Sequence, residues 1–510
     1  MNHWIPTCLL ITTALASAQH DPQRNATQAI ASGDFAKAEK ILSAAGAEDP
    51  ETLFVRMMLE LARGQLGEAQ ATAREALDAG LPLPRLAAGP RELLGTLQES
   101  DAYGQWVAEY GEDKLKLLHG PMVGAVTDSS ASFWVRTGDR CQVQIGIGDK
   151  LSVAATSTPE SDFTAVVRVD GLRPSTVYEY RVILDGEPVD MDAPKFSTFP
   201  KRGEPGKFSV AFGGGAGFVP EWEYMWDTIR KSEPTALLMM GDNVYIDQPQ
   251  FSLCQHYCYQ RRQERTEWRR LVAGTPTYSI YDDHDFGTND CVPGPEVGVP
   301  EWKLPVWRIF KQNWVNPAYG GGEAQPGCWY DFHIGDAHFI MLDGRYYRDL
   351  EGGSMLGPVQ KAWLKKTLKD SDGTFKVLAS PVPWAANIKP GSRDPWDGFA
   401  AEREEIFSFI ESEKIQGIFL ISADRHRTDL RTTERPGGYT LFEFESSKLT
   451  NRHTHKVVKT PGLIWGYNKK CSFGLMRFDT SAADPQVSFD CITIDGEVVH
   501  SYTLPLSKLK

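Results

Sequence analysis

The chain has 510 residues, 41% hydrophobic and 24% charged, and its 54 Lys and Arg against 67 Asp and Glu leave a net charge of −13 at pH 7. That length calls for two or three domains, and that composition for a soluble globular protein. The acidic balance argues against a nucleic-acid backbone as the general partner, although a bound metal reverses the potential locally and leaves phosphorylated small substrates open.

The start, MNHWIPTCLLITTALASAQH, has a short apolar core ending in Ala16, Ser17 and Ala18, which predicts a secretory signal over residues 1–18, removed before Gln19. No stretch here or later is long and apolar enough to span a bilayer, so an exported protein, periplasmic or extracellular and without a transmembrane anchor, is expected. Removal of the leader leaves seven cysteines: Cys141, Cys254, Cys258, Cys291, Cys328, Cys471 and Cys491. An odd number leaves at least one unpaired or ligating. Cys254 and Cys258 lack the second half of a zinc site, and a disulfide from one of them to Cys291 is the expectation in an exported chain.

Residues 19–110 are alanine-rich with helical spacing. Gly33 to Ala38 recurs loosely as Gly64 to Ala69, a 31-residue offset that predicts a pair of tetratricopeptide-like helical hairpins, with a plain helical cap as the alternative. Such a region offers a surface for a protein partner. Residues 118–200 change to short alternating strands at 131–136, 142–147, 164–169 and 176–184, with turns at Asp170-Gly171 and Asp185-Gly186. These predict a small β-sandwich of the fibronectin type III or immunoglobulin kind, structural in role. Residues 200–206 read as a linker.

From residue 207 to 510 strands alternate with helical segments at 220–232, 264–273 and 356–368, which favours a layered α/β domain. Apolar runs at 208–212, 236–240 and 278–281 have the length of buried strands, and each leads into glycine-rich or acidic residues. Further strands at 337–342, 375–379 and 417–421 come after them, the last delivering Asp424, Arg425 and His426. Ligands gather at such strand ends. Asp242, Tyr245, Asp283, His284, Asn289, Asp424 and His426 therefore converge as oxygen donors with imidazoles, the donor set of a metal site. Taken singly, Gly241-Asp242-Asn243 suits a turn, and the acids around His284 a solvated loop. Arg425 or Arg427 clamps an anionic oxygen or makes a surface salt bridge. His333 and His338 are expected to be structural, Trp222, Trp226, Trp302, Trp307 and Trp314 to be core or pocket wall, and Lys365-Lys366 to be a solvated helix face.

With GDNVY at 241–245, YDDHD at 281–285 followed by Asn289, LDGR at 342–345, LGPVQ at 356–360 with Trp363 and Leu364, SPVPW at 380–384, DRH at 424–426 and SSKLT at 446–450, the chain resembles the PhoD-type alkaline phosphatases of the metallophosphatase superfamily from residue 120 to 506. The resemblance implies an α/β (α+β) metallophosphatase four-layer sandwich preceded by the family's β-sandwich. It implies release of phosphate from small phosphate esters by metal-activated hydroxide, on a centre of iron with one or two calcium ions. By the same resemblance Asp242 is the bridging carboxylate and Tyr245 a phenolate ligand on iron. Asp283 is a ligand of the second metal, His284 contacts the phosphoryl group, and Asp424 and His426 close the centre. Asn289 meets the second metal or the phosphate. Relatives carry a metal-binding Cys where this chain has Gly215, so a backbone group, water or another residue substitutes there, or the metal differs. Alternatives are a phosphodiesterase or phospholipase D-like hydrolase, and a non-catalytic binding protein on the same scaffold.

Overall fold

The computed structural model describes residues 21–46 and 48–510. The leader predicted over residues 1–18 lies outside the described residues.

Seven helices run from Pro22–Ala31 to Asp101–Tyr110. The first three begin alike, with Asp21, Asp34 and Asp49 each accepting a backbone N–H three residues on, which satisfies an orphan donor of the first turn. Helix Pro22–Ala31 packs on Phe35–Ala44, and Pro50–Ala62 on Leu66–Asp78, as two hairpins. Gly33 and Gly64, the repeated glycines, sit at equivalent turns with φ of 78° and 75°. That left-handed conformation suits glycine after a helix C-terminus.

Strands Leu117–Gly124, Ser130–Thr137 and Thr164–Asp170 form one antiparallel sheet. Gln142–Ile147 pairs with Arg181–Leu184 in a second. The turn between Arg181–Leu184 and Glu187–Pro188 has Asp185 and Gly186 at φ of 51° and 87°, a hairpin conformation that Asp-Gly favours. The sandwich is riveted to the rest of the chain by Arg136. Fully buried, its guanidinium reaches Asp162 at 2.9 Å, Asn313 at 2.9 Å and the side chain of Gln263.

Two sheets make the remaining domain. In one, strands Thr277–Ile280, Ala236–Met240, Lys207–Gly213, Ser472–Asp479, Gln486–Thr493 and Val498–Pro505 lie side by side, the first three parallel. In the other, Ala337–Met341, Phe375–Ala379, Ile418–Ser422 and Leu441–Glu445 run parallel, flanked by Tyr330–Ile334 on one side and Thr428–Thr433 and Leu463–Tyr467 on the other. The parallel strands are buried at nearly every position, which is why they read as continuous apolar runs. Helices Gly357–Asp370 and Ala400–Ser412 cover the second sheet through Leu364, Leu368, Ile406 and Ile410. A parallel bridge from Gly214 to Ser447 joins the two sheets just beyond the C-terminal ends of strands Lys207–Gly213 and Leu441–Glu445.

The expected disulfide is corrected. All seven cysteines among the described residues are free thiols. Cys254 and Cys258 are buried in helix Ser252–Gln263, with the Cys258 thiol directed at the Tyr245 carbonyl at 3.6 Å. Cys291 instead packs against Gly287, where an added Cβ would meet its sulfur at 2.6 Å.

Arg136→Ala leaves Asp162 in a buried site without its guanidinium. A loss of about 3 kcal/mol is expected, read as a lower thermal midpoint for the sandwich and the domain it holds, and an unchanged midpoint would show the rivet to be dispensable.

Candidate metal centre

Strands Lys207–Gly213, Ala236–Met240, Thr277–Ile280 and Ile418–Ser422 deliver the residues beyond their C-terminal ends to one cleft. The backbone there is unusual: Gly241 has φ of 99°, and Asp242, Asp424 and His426 lie in the left-handed region at 52°, 71° and 45°. Non-glycine residues hold that conformation where the surroundings over-determine it, as functional sites do. At Gly241 an added Cβ would come within 2.5 Å of the Asp282 Cβ, so only glycine lets the two loops approach.

Three acids surround His284, and they divide by task. Asp285 accepts the backbone N–H of Asp282 at 3.0 Å, Asn243 at 2.9 Å and Val244 at 3.0 Å, tying the loops together, while burial pushes its pKa up to about 7. Asp282 pairs with Arg345 Nε. Asp283 lies buried beside Asp242 and His284 and accepts the Asp290 N–H at 2.6 Å. Burial would raise Asp283, but Arg345 and His284 outweigh it and hold the carboxyl below its usual range.

Tyr245 Oη lies 3.1 Å from Asp242 Oδ2 and 3.1 Å from His426 Nε2. His284 Nδ1 pairs with Asp247, and its ring lies 4.4 Å from that of Tyr245. Burial would lower His284, yet the carboxylates of Asp283, Asp242 and Asp247 raise it well above the ordinary histidine value. Burial raises Asp242 far above the carboxylate range, reinforced by Asp283, Asp282 and Asp285. Asp424 is raised by burial too. Burial, with His453, His284 and His455 beside it, keeps His426 neutral and therefore able to ligate.

Ligand atoms of Asp242, Asp283 and His284 lie within 4.8 Å of one another. The same holds for Asp283, Asp290 and Asp394, and for His426, His453 and His455. Asp242 Oδ1, Asp424 Oδ2 and His426 Nδ1 are buried without a hydrogen-bond partner. Buried acids and orphaned donor atoms of this kind call for a cation, and the set fits one.

Asn289 is exposed on the cleft wall. Arg425 is buried beside its neighbour, with Nη1 3.6 Å from Asp424 Oδ2. The clamp expected of Arg427 is corrected: it is buried against Asp429 at 2.7 Å and Glu445 at 4.0 Å and does not line the cleft. Other arginines do. The cleft, about 690 Å³, is lined by Arg24, Arg261, Arg262 and Arg452 as well as Tyr245 and His284. Arg24 comes from the first helix, 3.1 Å from Asp247, while Gln28 of the same helix donates to the Ile246 carbonyl at 2.9 Å. Nothing local in the sequence marks Arg24, Asp247, Asp290 or Asp394, whereas the His453-Thr454-His455 spacing is a readable signal that the sequence reading passed over. His333 and His338 stack on each other across strands Tyr330–Ile334 and Ala337–Met341, His338 bonding Ser371 at 2.7 Å and Asp331 at 3.0 Å.

Residues 210–462 match the family described as PhoD-like phosphatase, and residues 114–202 match a domain of unknown function (DUF7800). Alkaline phosphatase D of Bacillus subtilis (strain 168) is 23% identical over 309 residues, 51% of this chain and 52% of that protein. Purple acid phosphatase 23 of Arabidopsis thaliana is 25% identical over 281 residues, 51% of this chain and 54% of that protein. The matches thus span about half the length of these curated relatives. Among solved structures, that of PhoD superposes with a TM-score of 0.62 at 17% identity, covering 75% of this chain and 88% of that one. A purple acid phosphatase from yellow lupin (Lupinus luteus) seeds gives 0.57 at 12% identity, covering 76% and 75%. The fold is shared with PhoD and with that purple acid phosphatase.

Asp242→Asn and Asp283→Asn each remove a carboxylate from the cluster. Chelator-stripped protein carrying either change is expected to take up less metal than the unaltered chain on reloading, counted by plasma mass spectrometry, and equal uptake would move the centre elsewhere.

Proposed function

From a chain that carries a PhoD-like phosphatase domain over residues 210–462, we propose a metal-dependent phosphoester hydrolase that releases phosphate from small organic phosphate esters. The observation that carries this reading is the cluster of Asp242, Asp283 and His284, with Tyr245 between Asp242 and His426, and with Asp242 Oδ1, Asp424 Oδ2 and His426 Nδ1 buried without partners.

These residues would hold cations, whose chemistry would be to lower the pKa of water and to offset charge on a phosphoryl group. Asp283, beside Asp242, suits a hard ion such as calcium, and the Asp242 and Tyr245 side suits a harder trivalent ion such as iron, whereas Asp290 and Asp394 are already paired with Lys389, Arg345 and Arg348. The chain's own residues do the rest. Asp247 holds His284 by Nδ1, which leaves Nε2 to donate a proton to the departing alkoxide. The neighbouring carboxylates favour the protonated imidazole that this step needs. Arg24 and Arg261 at the cleft wall offer donors to non-bridging oxygens, and Asn289 supports the second metal or the phosphate. Arg425, buried behind Asp424, orients that ligand. The volume of the cleft suits a small molecule, monoester or diester.

Export is part of the proposal, on the strength of the apolar leader at residues 1–18; no helix among the described residues is long and apolar enough to cross a membrane. A protein partner for the helical region is a lesser proposal, since its first helix already docks on the cleft.

Metal-dependent turnover of an aryl phosphate monoester, lost on chelation and on Asp242→Ala, is the expected result, and the ratio to the matching diester chooses the substrate class. His284→Ala is expected to slow turnover by roughly 10²- to 10⁴-fold, more for an alkyl than for an aryl ester because the aryl oxide leaves without a proton. Equal losses on both would remove the general-acid role.

A further inference from the structure

His453 and His455 lie in the segment after strand Leu441–Glu445, and that segment is pinned to the centre. Leu449 N–H donates to the Gly214 carbonyl at 3.0 Å, and Thr450 Oγ1 to the Gly217 carbonyl at 2.7 Å. Thr454, between the two histidines, donates to the His426 carbonyl at 3.1 Å. Asn468 Nδ2 donates to the His455 carbonyl at 2.9 Å, and His453 N–H to Asn451 Oδ1 at 2.8 Å. Both histidines are therefore held on either side of a residue anchored to His426.

Their rings are arranged for a shared occupant. His453 and His455 approach Nε2 to Nε2 at 3.2 Å with planes at 84°, and the His426 ring lies 5.4 Å from one and 5.9 Å from the other. Two imidazole nitrogens bound to one tetrahedral ion at about 2.0–2.1 Å are separated by about 3.3 Å. At Gly215 no side chain enters: a Cβ there would stand 3.2 Å from His426 Nε2 and 2.9 Å from Ser447 Oγ. Tyr245 Oη, 3.1 Å from His426 Nε2, adjoins the same space.

We propose that His453 and His455, together with His426, form a transition-metal site of the zinc class beside the carboxylate cluster. As part of the same centre it rests on the metal-dependent reading above. Imidazole nitrogens select zinc, copper, nickel or iron over calcium or magnesium. The two histidines then supply, from a different loop, the ligation for which position 215 has no side chain.

The test is metal content and spectrum, with turnover measured in parallel. The full chain is stripped with a chelator and reloaded with Co²⁺, whose visible bands report tetrahedral nitrogen ligation, or with Zn²⁺. The His453→Ala, His455→Ala double variant, altered on a loop remote from the sheets' cores, is expected to lose one equivalent of either ion and the band. His453→Gln alone, at an exposed position, is expected to weaken Co²⁺ affinity roughly tenfold or more. Unchanged stoichiometry, affinity and spectrum in both variants would overturn the site and leave a histidine–histidine hydrogen bond. Absence of turnover in the unaltered, metal-loaded chain would instead sink the hydrolase reading while leaving the metal count to decide this one.

Discussion

The centre depends on one buried guanidinium. Arg345 is fully inaccessible and is shared among Asp282, Asp283 and Asp394, with Nη1 2.6 Å from Asp394 and Nη2 3.6 Å from Asp283. Arg348 adds a second contact to Asp394 at 2.5 Å, and Lys389 bridges Asp394 to Asp290. Burial would raise Asp394, but these cations hold it far below the carboxylate range. Removing one partner from such a buried network costs about 3–5 kcal/mol. Without that frame these acids would repel one another, and the loop carrying Asp282, Asp283 and Asp290 would lose its anchor.

The frame explains the division of labour among neighbouring carboxylates. Asp283, Asp285 and Asp394 are satisfied by backbone N–H groups or by buried cations, and Asp282 by Arg345 at one of its two oxygens, so their loops are rigid. Asp242 Oδ1 and Asp424 Oδ2 are left buried without a partner. Rigid support and unsatisfied ligand atoms are what a metal site requires of its protein, because ordering is then complete before the ion arrives.

Helix Ser252–Gln263 carries the same logic outward. Ten of its twelve residues are buried although it includes Gln255, Gln260, Arg261, Arg262 and Gln263. Each charge has a partner from another region: Arg261 meets Asp21, and Arg262 meets Glu223 at 3.2 Å. The helical region, the sandwich and the two-sheet domain all pack on it, through Asp21, the Arg136 to Gln263 contact, and Cys258 behind Tyr245. The first helix is thereby a wall of the cleft, and Arg24 an occupant of it.

Much was legible in sequence, and the reason is local. Buried parallel strands are continuous apolar runs, so 208–212, 236–240, 278–281, 375–379 and 417–421 could be read, and the polar residues at the ends of these runs named Asp242, Asp283, His284, Asp424 and His426 as meeting residues. The repeated Gly33 and Gly64 stated their turns. Helix Ser252–Gln263 was not legible, because burial on all sides by paired charges leaves no apolar period to detect. Arg427 and the cysteines were misread for a related cause: an arginine or thiol next to a motif points where packing sends it, inward to Asp429 or into a helix core, and sequence distance carries no direction. Asp247, Asp394, Arg24 and His455 became neighbours of the centre only through folding. Strand ends are fixed by residues adjacent in the chain, but charge partners are fixed by which layers come to rest against each other.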